Sequence, residues 1–340
     1  MSDLQLIIGP DKSLPSQFYE RMSHFYNSQR GGETVTHIWN DIFNLFHKTL
    51  HDSLMSGSVD KLQTQLGKIY EGLTLFGVDF ALDMFVNSDG YKQKWWDILK
   101  ATANNLAIQH IDNPEQPVEH PVDLEFTIAG IESALGISLT RMGGGGMFGV
   151  DLNGRFIPHH LVEAAGIAGS VKRYFKHYGI IPKNILELGA GVGNLCLVLK
   201  EMFANYHTVD LPIMSVMQAY LLAIHFSPEK IWFAGEPRSD THAIFIHGIK
   251  PSEFLASLQF ALAVNQDSLP EIPYKNAAVY AHMIETQLVP GGLFLSINHE
   301  SSRGDQINVH DLFGITNLSL AHRTLYWGRA GYVEELWRKC

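Results

Sequence analysis

Along residues 35–54, VTHIWNDIFNLFHKTLHDSL, the apolar positions Ile38, Ile42, Leu45, Phe46, Leu50 and Leu54 recur at steps of three and four. That spacing gathers them on one face of an amphipathic helix. VDKLQTQLGKIYEGLTLFGVD repeats the habit through Leu62, Leu66, Ile69 and Leu73, and YKQKWWDILKATANNLAIQHI reads as another helix. The text from about Ser16 to Ala107 is therefore expected to be helical. DNPEQPVEHPVD, with three prolines and several acids, reads as a connector. IAGIESALGISL and the glycine run in MGGGGMFGVDLNGRF follow it.

After Ile180 the pattern changes. NILELG, YHTVDLP, KIWFAG, FALAVNQDSL, LFLSINHES and GYVEELWRK are short β-rich runs, and helical stretches such as NLCLVLKEMFA and SVMQAYLLAIHF separate the earlier ones. Such alternation predicts an α/β fold whose mostly parallel sheet is covered on both faces. Two units are expected: residues 1–150, a helical cap or dimerisation region with the connector and glycine run, and residues 151–340, the catalytic domain. The run Gly143–Gly146 reads either as a plain linker or as a loop closing over a ligand. Its apolar flanks, Met142 and Met147-Phe148, favour the loop.

Composition narrows the function classes. Forty-six per cent hydrophobic and 18% charged residues in a chain of 340 suit a soluble globular protein that needs neither disulfides nor a structural metal. A net charge of −10 argues against a nucleic-acid partner, which would require a basic surface. Of the two cysteines, Cys196 lies in an apolar helical stretch and reads as a small buried hydrophobe; no C-x-x-C pair occurs. The N-terminal residues lack the pattern of a signal peptide, and no apolar run approaches bilayer length, so a cytoplasmic protein without membrane contact is expected.

The candidate chemistry centres on NILELGAGVGNLCLVL, residues 184–199. A dinucleotide fingerprint is G-x-G-x-x-G. Here Gly189, Gly191 and Gly193 bring the third glycine one residue early, with Asn194 in its expected place. No Lys-Ser or Lys-Thr follows, as a P-loop would need. Glu187 precedes the turn, and Asp210 ends the next strand, 17 residues after Gly193. An acid there can accept both hydroxyls of a ribose, a feature shared with NAD enzymes.

Glu187-Leu-Gly-Ala-Gly-Val-Gly resembles the first motif of class I S-adenosylmethionine-dependent methyltransferases. The resemblance covers about Ile180 to Cys340 and includes the LVPGGLF turn before the fifth strand. It implies a Rossmann-like, seven-stranded, mostly parallel methyltransferase sheet with an N-terminal helical domain. S-adenosyl-L-methionine is then the cofactor, held by Glu187, Gly189, Ala190, Gly191, Gly193, Asp210, Leu211 and Asn265. More narrowly, Asn265, Ser268, Leu269 and Glu271, with Tyr280 downstream and Asp-Leu-Pro at 210–212, resemble a family of sugar O-methyltransferases. Plant-type small-molecule O-methyltransferases place a His-Asp pair after the fourth strand, with the histidine as base; Asn265 and Gln266 stand there instead.

Methyl transfer from a sulfonium is an in-line displacement that requires an oxygen held on the methyl axis. A sugar hydroxyl is a weak acid, so a base should take its proton. Glu271 after the fourth strand and His299 after the fifth are the candidates, with His310-Asp311 a third possibility. No metal is expected: paired aspartates are absent, and His159-His160 lack the spacing of a zinc site. Trp95 and Trp96 read as core or interface residues, or as a stacking surface for an acceptor. The expected partner is a small-molecule acceptor, a sugar or secondary metabolite, with a homodimer possible. The alternatives are a phenol, carboxylate or amine acceptor, or a catalytically silent partner subunit.

Overall fold

The computed structural model describes residues 6–9, 12–29, 37–75, 89–108, 123–141, 143–249, 252–300 and 306–340. The DNPEQPVEHPVD connector lies outside the described residues apart from Asp123, the N-cap of the helix Leu124–Leu135.

Among the described residues, eleven strands form two sheets. A small antiparallel sheet holds β1 (Leu6–Ile8), β2 (Phe148–Leu152) and β3 (Arg155–Pro158) in that order. The large sheet contains β4 (Asn184–Leu188), β5 (Asn205–Val209), β6 (Ile231–Phe233), β7 (Ile244–Ile246), β8 (Phe260–Gln266), β9 (Leu288–His299), β10 (Leu318–Leu325) and β11 (Tyr332–Lys339). Its order is β10-β11-β9-β8-β4-β5-β7-β6, with β6 to β9 parallel to β4 and β5, and β10 and β11 joined as an antiparallel hairpin.

Eight strands replace the seven expected. Two of the eight, β7 (Ile244-Phe245-Ile246) and β10, are not among the runs read from the sequence; β7 is too short to show a periodicity. From β4 the chain builds outward through β5, then crosses to β8 and continues the other way. The order therefore reverses between β4 and β8, and open α/β sheets bind ligands at the carboxyl ends of strands beside such a point.

The N-terminal helices share the core of the sheet. Met22, Leu54, Leu66 and Leu99 belong to one buried cluster with Ile185, Leu222 and Leu336. The helix Ser16–Gln29 sets Phe18 and Phe25 against Phe233 of β6, and its Arg21 donates to Glu236 (2.7 Å) and to the Ile231 carbonyl (2.6 Å). Sandwiched between this layer and the sheet, the helix Pro212–Phe226 is apolar nearly all round, as burial on both sides requires.

One expectation is corrected here, and one of two alternatives falls. The helix starting at Val59 stops at Leu66, because Gly67 caps it and turns follow through Gly72, which has a positive φ. The run Gly143–Gly146 is buried in this same core and is not a solvated linker. A Cβ on Gly144 would lie 2.1 Å from Ile224 Cδ1, and one on Gly145 2.5 Å from Ile69. Glycine here serves close packing.

Candidate active site

Strand β4 ends in the glycine loop. Gly189, Gly191 and Gly193 all have positive φ, which L side chains adopt at a cost. The Gly189 amide donates to the Val209 carbonyl (2.8 Å), fastening the loop to β5. Gly193 packs under the helix Pro212–Phe226, where a Cβ would meet Gln218 and Leu222 at 3.1 Å. Ala190, Val192 and Gly193 are buried, whereas Gly189 and Gly191 keep partial exposure on the carboxyl edge.

Asp210, at the end of β5, accepts from the Gly191 amide through Oδ2 and from the Leu211 amide through Oδ1, each at 2.7 Å. Burial outweighs these two bonds and pushes its carboxyl up to about 7. Two of about four lone-pair positions are used, so the carboxylate keeps capacity for two further donors. Tyr280, on the helix Tyr274–Gln287, lies close enough to Asp210 that the acid's charge adds to burial in raising its phenol to about 12.

Glu187 and Asn265 take inward positions. Glu187 is buried, accepts from the Tyr206 hydroxyl (2.7 Å), and is pushed by burial up to about 8. Asn265 ties the switch point together: Nδ2 donates to the Leu188 carbonyl (2.8 Å) and Ser268 Oγ (2.5 Å), while Oδ1 accepts from Asn298 (2.9 Å). Ser268 sits directly over Gly189, where a Cβ would lie 1.9 Å from its Oγ. The Asn-x-x-Ser pattern thus joins β4, β8 and β9 beside the loop.

The turn after β8 carries the acidic groups. Glu271 accepts from Trp39 Nε1 (2.8 Å), a residue 232 positions away on the helix His37–Ile42. Burial, then the charge of Asp267 acting against the Trp39 bond, raises its carboxyl to about 7. Asp267 accepts from the Tyr332 hydroxyl (2.5 Å) and Arg329 Nη1 (2.6 Å). Tyr332 of β11 pairs in register with His299 of β9, their rings meeting edge-on with centroids 5.8 Å apart. Glu163, in the first turn of the helix Leu161–Tyr178, accepts from Tyr326 (3.1 Å), and burial raises its carboxyl.

Glu271 and His299 are therefore brought to one edge, connected through Asp267 and Tyr332. His310 is not part of this cluster; it pairs with Glu335 (2.6 Å), in mid-strand on β11. Trp95 is core and donates to the His159 carbonyl (2.9 Å); His159 stacks on Phe148. Sequence reasoning missed Trp39, Glu163, Asp267, Arg329 and Tyr332. Of these, only Asp267 had a local signal, standing between Asn265 and Ser268.

No protein-family model matches the chain, and no curated protein is significantly similar to it. Solved structures give distant likenesses, each over about half of this chain. An amino-pentose methyltransferase of calicheamicin biosynthesis from Micromonospora echinaspora aligns at 10% identity and TM-score 0.39, covering 53% of this chain and 92% of its own. An N-methyltransferase from Bradyrhizobium japonicum aligns at 14% and 0.38 over 50% and 84%. An S-adenosylmethionine-dependent methyltransferase from Clostridium acetobutylicum aligns at 12% and 0.37 over 50% and 89%.

Among the described residues, no group of three or more His, Cys, Asp or Glu is placed to hold a metal ion. No described helix is long and apolar enough to cross a membrane.

Proposed function

We propose that the chain is an S-adenosylmethionine-dependent methyltransferase that methylates a hydroxyl of a sugar or glycosylated small molecule. The observation that carries this reading is the pairing of the open glycine loop with Asp210 at the switch point. A phosphate-binding loop would set cationic groups or a substantial helix N-terminus against its ligand. Here the helix behind the loop, Cys196–Leu199, has four residues, and the ionisable side chain at the open strand end is an acid, Asp210, with no cation beside it among the described residues of the loop. An ionised Asp210 repels a pyrophosphate and suits a ligand bearing a sulfonium and an ammonium.

Asp210 would accept the ribose hydroxyls with its two remaining lone-pair positions. Gly189, Ala190 and Gly191 would line the cofactor's amino-acid arm, with Leu211 beside the ribose. Glu187 and Asn265 would act from behind, holding the strand ends that shape the loop. The cofactor supplies an electrophilic methyl group. On the acceptor side, Glu271 would take the hydroxyl proton, since a carboxyl raised to about 7 is a competent base at neutral pH. His299 stands as the second candidate, on the neighbouring strand. The helical layer that supplies Trp39 would close the acceptor pocket.

The test is calorimetric titration of the purified protein with S-adenosylmethionine and S-adenosylhomocysteine. Micromolar binding is expected, weakened about 10- to 100-fold in Asp210→Ala, as for a lost hydrogen bond to a charged group. Failure of both ligands to bind, with NAD(H) binding instead, would sink the reading. With binding established, sugar and phenolic acceptors are screened, and Glu271→Gln is expected to lower turnover about 100-fold or more.

A further inference from the structure

Asp267 is one of four non-glycine residues among those described with a positive φ, here 54°. It occupies the first position after β8, beside the switch point, where its amide donates to the Ile297 carbonyl of β9 (3.0 Å). Aspartate visits this region more easily than most residues, yet a glycine would do so without strain. What glycine lacks is the carboxylate, and both oxygens of this carboxylate are used. Arg329 donates to one, Tyr332 to the other, and the Arg329 guanidinium also lies over the Tyr332 ring, 4.2 Å from its centroid. The edge of that same ring system meets His299.

We propose that Asp267 is a positioning residue for the base: it fixes Tyr332 and Arg329 as one wall of the acceptor site and keeps a negative charge beside Glu271. The inference rests on the methyltransferase reading for its catalytic meaning, but the geometry does not. Among the described residues, the groups facing Glu271 are few. Trp39 donates to it from the helix His37–Ile42, Asp267 acts from its own turn, and Arg329 and Tyr332 act from the β10–β11 connection and β11. Asp267 is the acid among them, so its charge favours the protonated form of Glu271, whereas Arg329 favours the ionised form. Asp267 also faces Glu163, whose other charged neighbours are Arg329 and Lys94. One aspartate thereby holds the arginine that would otherwise keep Glu271 a weak base.

The experiment follows the indole N–H signal of Trp39, one of six tryptophans, by nitrogen–proton NMR as pH is varied. Because that N–H donates to Glu271, its shift reports the carboxyl's ionisation. In the wild-type protein the midpoint is expected near 7. Asp267→Asn keeps one oxygen acceptor, sets an NH2 where the second oxygen stood and removes the charge, and should lower the midpoint by about one pH unit. Tyr332→Phe keeps the charge and should leave the midpoint within about a third of that shift. An unchanged midpoint in Asp267→Asn, or equal displacement by both variants, overturns the proposal. Calorimetry with S-adenosylmethionine on the same samples separates the two failures: normal binding with an unmoved midpoint removes only the role of Asp267, whereas loss of binding in the wild type removes the methyltransferase reading.

Discussion

At the scale of single residues, Asp210 joins two strand ends and is held near neutrality. Two backbone amides favour its charged form, but burial dominates and leaves the carboxyl at about 7. Further donors from ribose hydroxyls would stabilise the carboxylate and lower that value. Binding S-adenosylmethionine at pH 7 is therefore expected to release a fraction of a proton and to weaken as pH falls below 7. Titrations in two buffers of different ionisation enthalpy measure the release directly. Proton uptake in place of release would contradict the assignment of Asp210.

At the scale of elements, the glycine loop and the glycine run obey different constraints. Gly189→Ala places a Cβ 1.9 Å from Ser268 Oγ at a φ of +68°, so the knot of Asn265, Ser268 and Leu188 must shift. Left-handed strain alone costs about 1–2 kcal/mol. Cofactor binding should fall at least about tenfold, with the melting temperature lowered too. Gly144→Ala meets Ile224 in the core, far along the helix Pro212–Phe226 from its start at the site. It should cost about 1–3 kcal/mol of stability by overpacking and leave cofactor affinity unchanged in the folded fraction, which denaturation and calorimetry together resolve.

These elements also show what the amino-acid order makes readable. The loop and Asp210 were legible because one turn and the next strand end must provide them, within 22 residues of chain from Gly189. The long helices were legible by their periodicity. Strands β1, β3 and β7, of three or four residues each, are too short for a pattern to mark, and β7, β10 and the small sheet went unseen, whereas the equally short β6 was caught in KIWFAG. Trp39 meets Glu271 across 232 positions, and Tyr332 meets His299 because β11 inserts beside β9. Neither pairing leaves a local trace. Gly143–Gly146 was ambiguous for the opposite reason: a string of glycines reads alike whether solvent or a packed core surrounds it.

For the whole molecule, buried titratable groups set how stability follows pH. Glu187, Asp210 and Glu271 are raised to about 8, 7 and 7. The folded state keeps their protons where the unfolded chain has released them, so this contribution is present at low pH and is lost as pH rises to 7–8. His47, His225 and His247 are lowered by burial to about 4, 3 and 3, and His207, bonded to His247 at 3.0 Å, is lowered as well. Their contribution is present above the ordinary histidine value of about 6.5 and is lost as pH falls. Above pH 6.5 the acids act alone, and the melting temperature should drop on the order of 5 °C by pH 8. Glu187→Gln should flatten that drop; an undiminished slope would show that Glu187 is ionised in the folded protein.

The position of β11 between β9 and β10 carries a consequence for how the molecule is made. A nascent chain that has emerged through β9 already contains β4, the glycine loop, Asp210 and the parallel strands around them. It has not yet received Arg329 or Tyr332, and β10, when it follows, has no neighbour in the sheet until β11 is synthesised. During translation, then, the half of the crevice built by β4 and β5 can assemble while the opposite wall does not exist. On the proposed function, the cofactor side of the crevice would be complete in a ribosome-bound intermediate before the acceptor side.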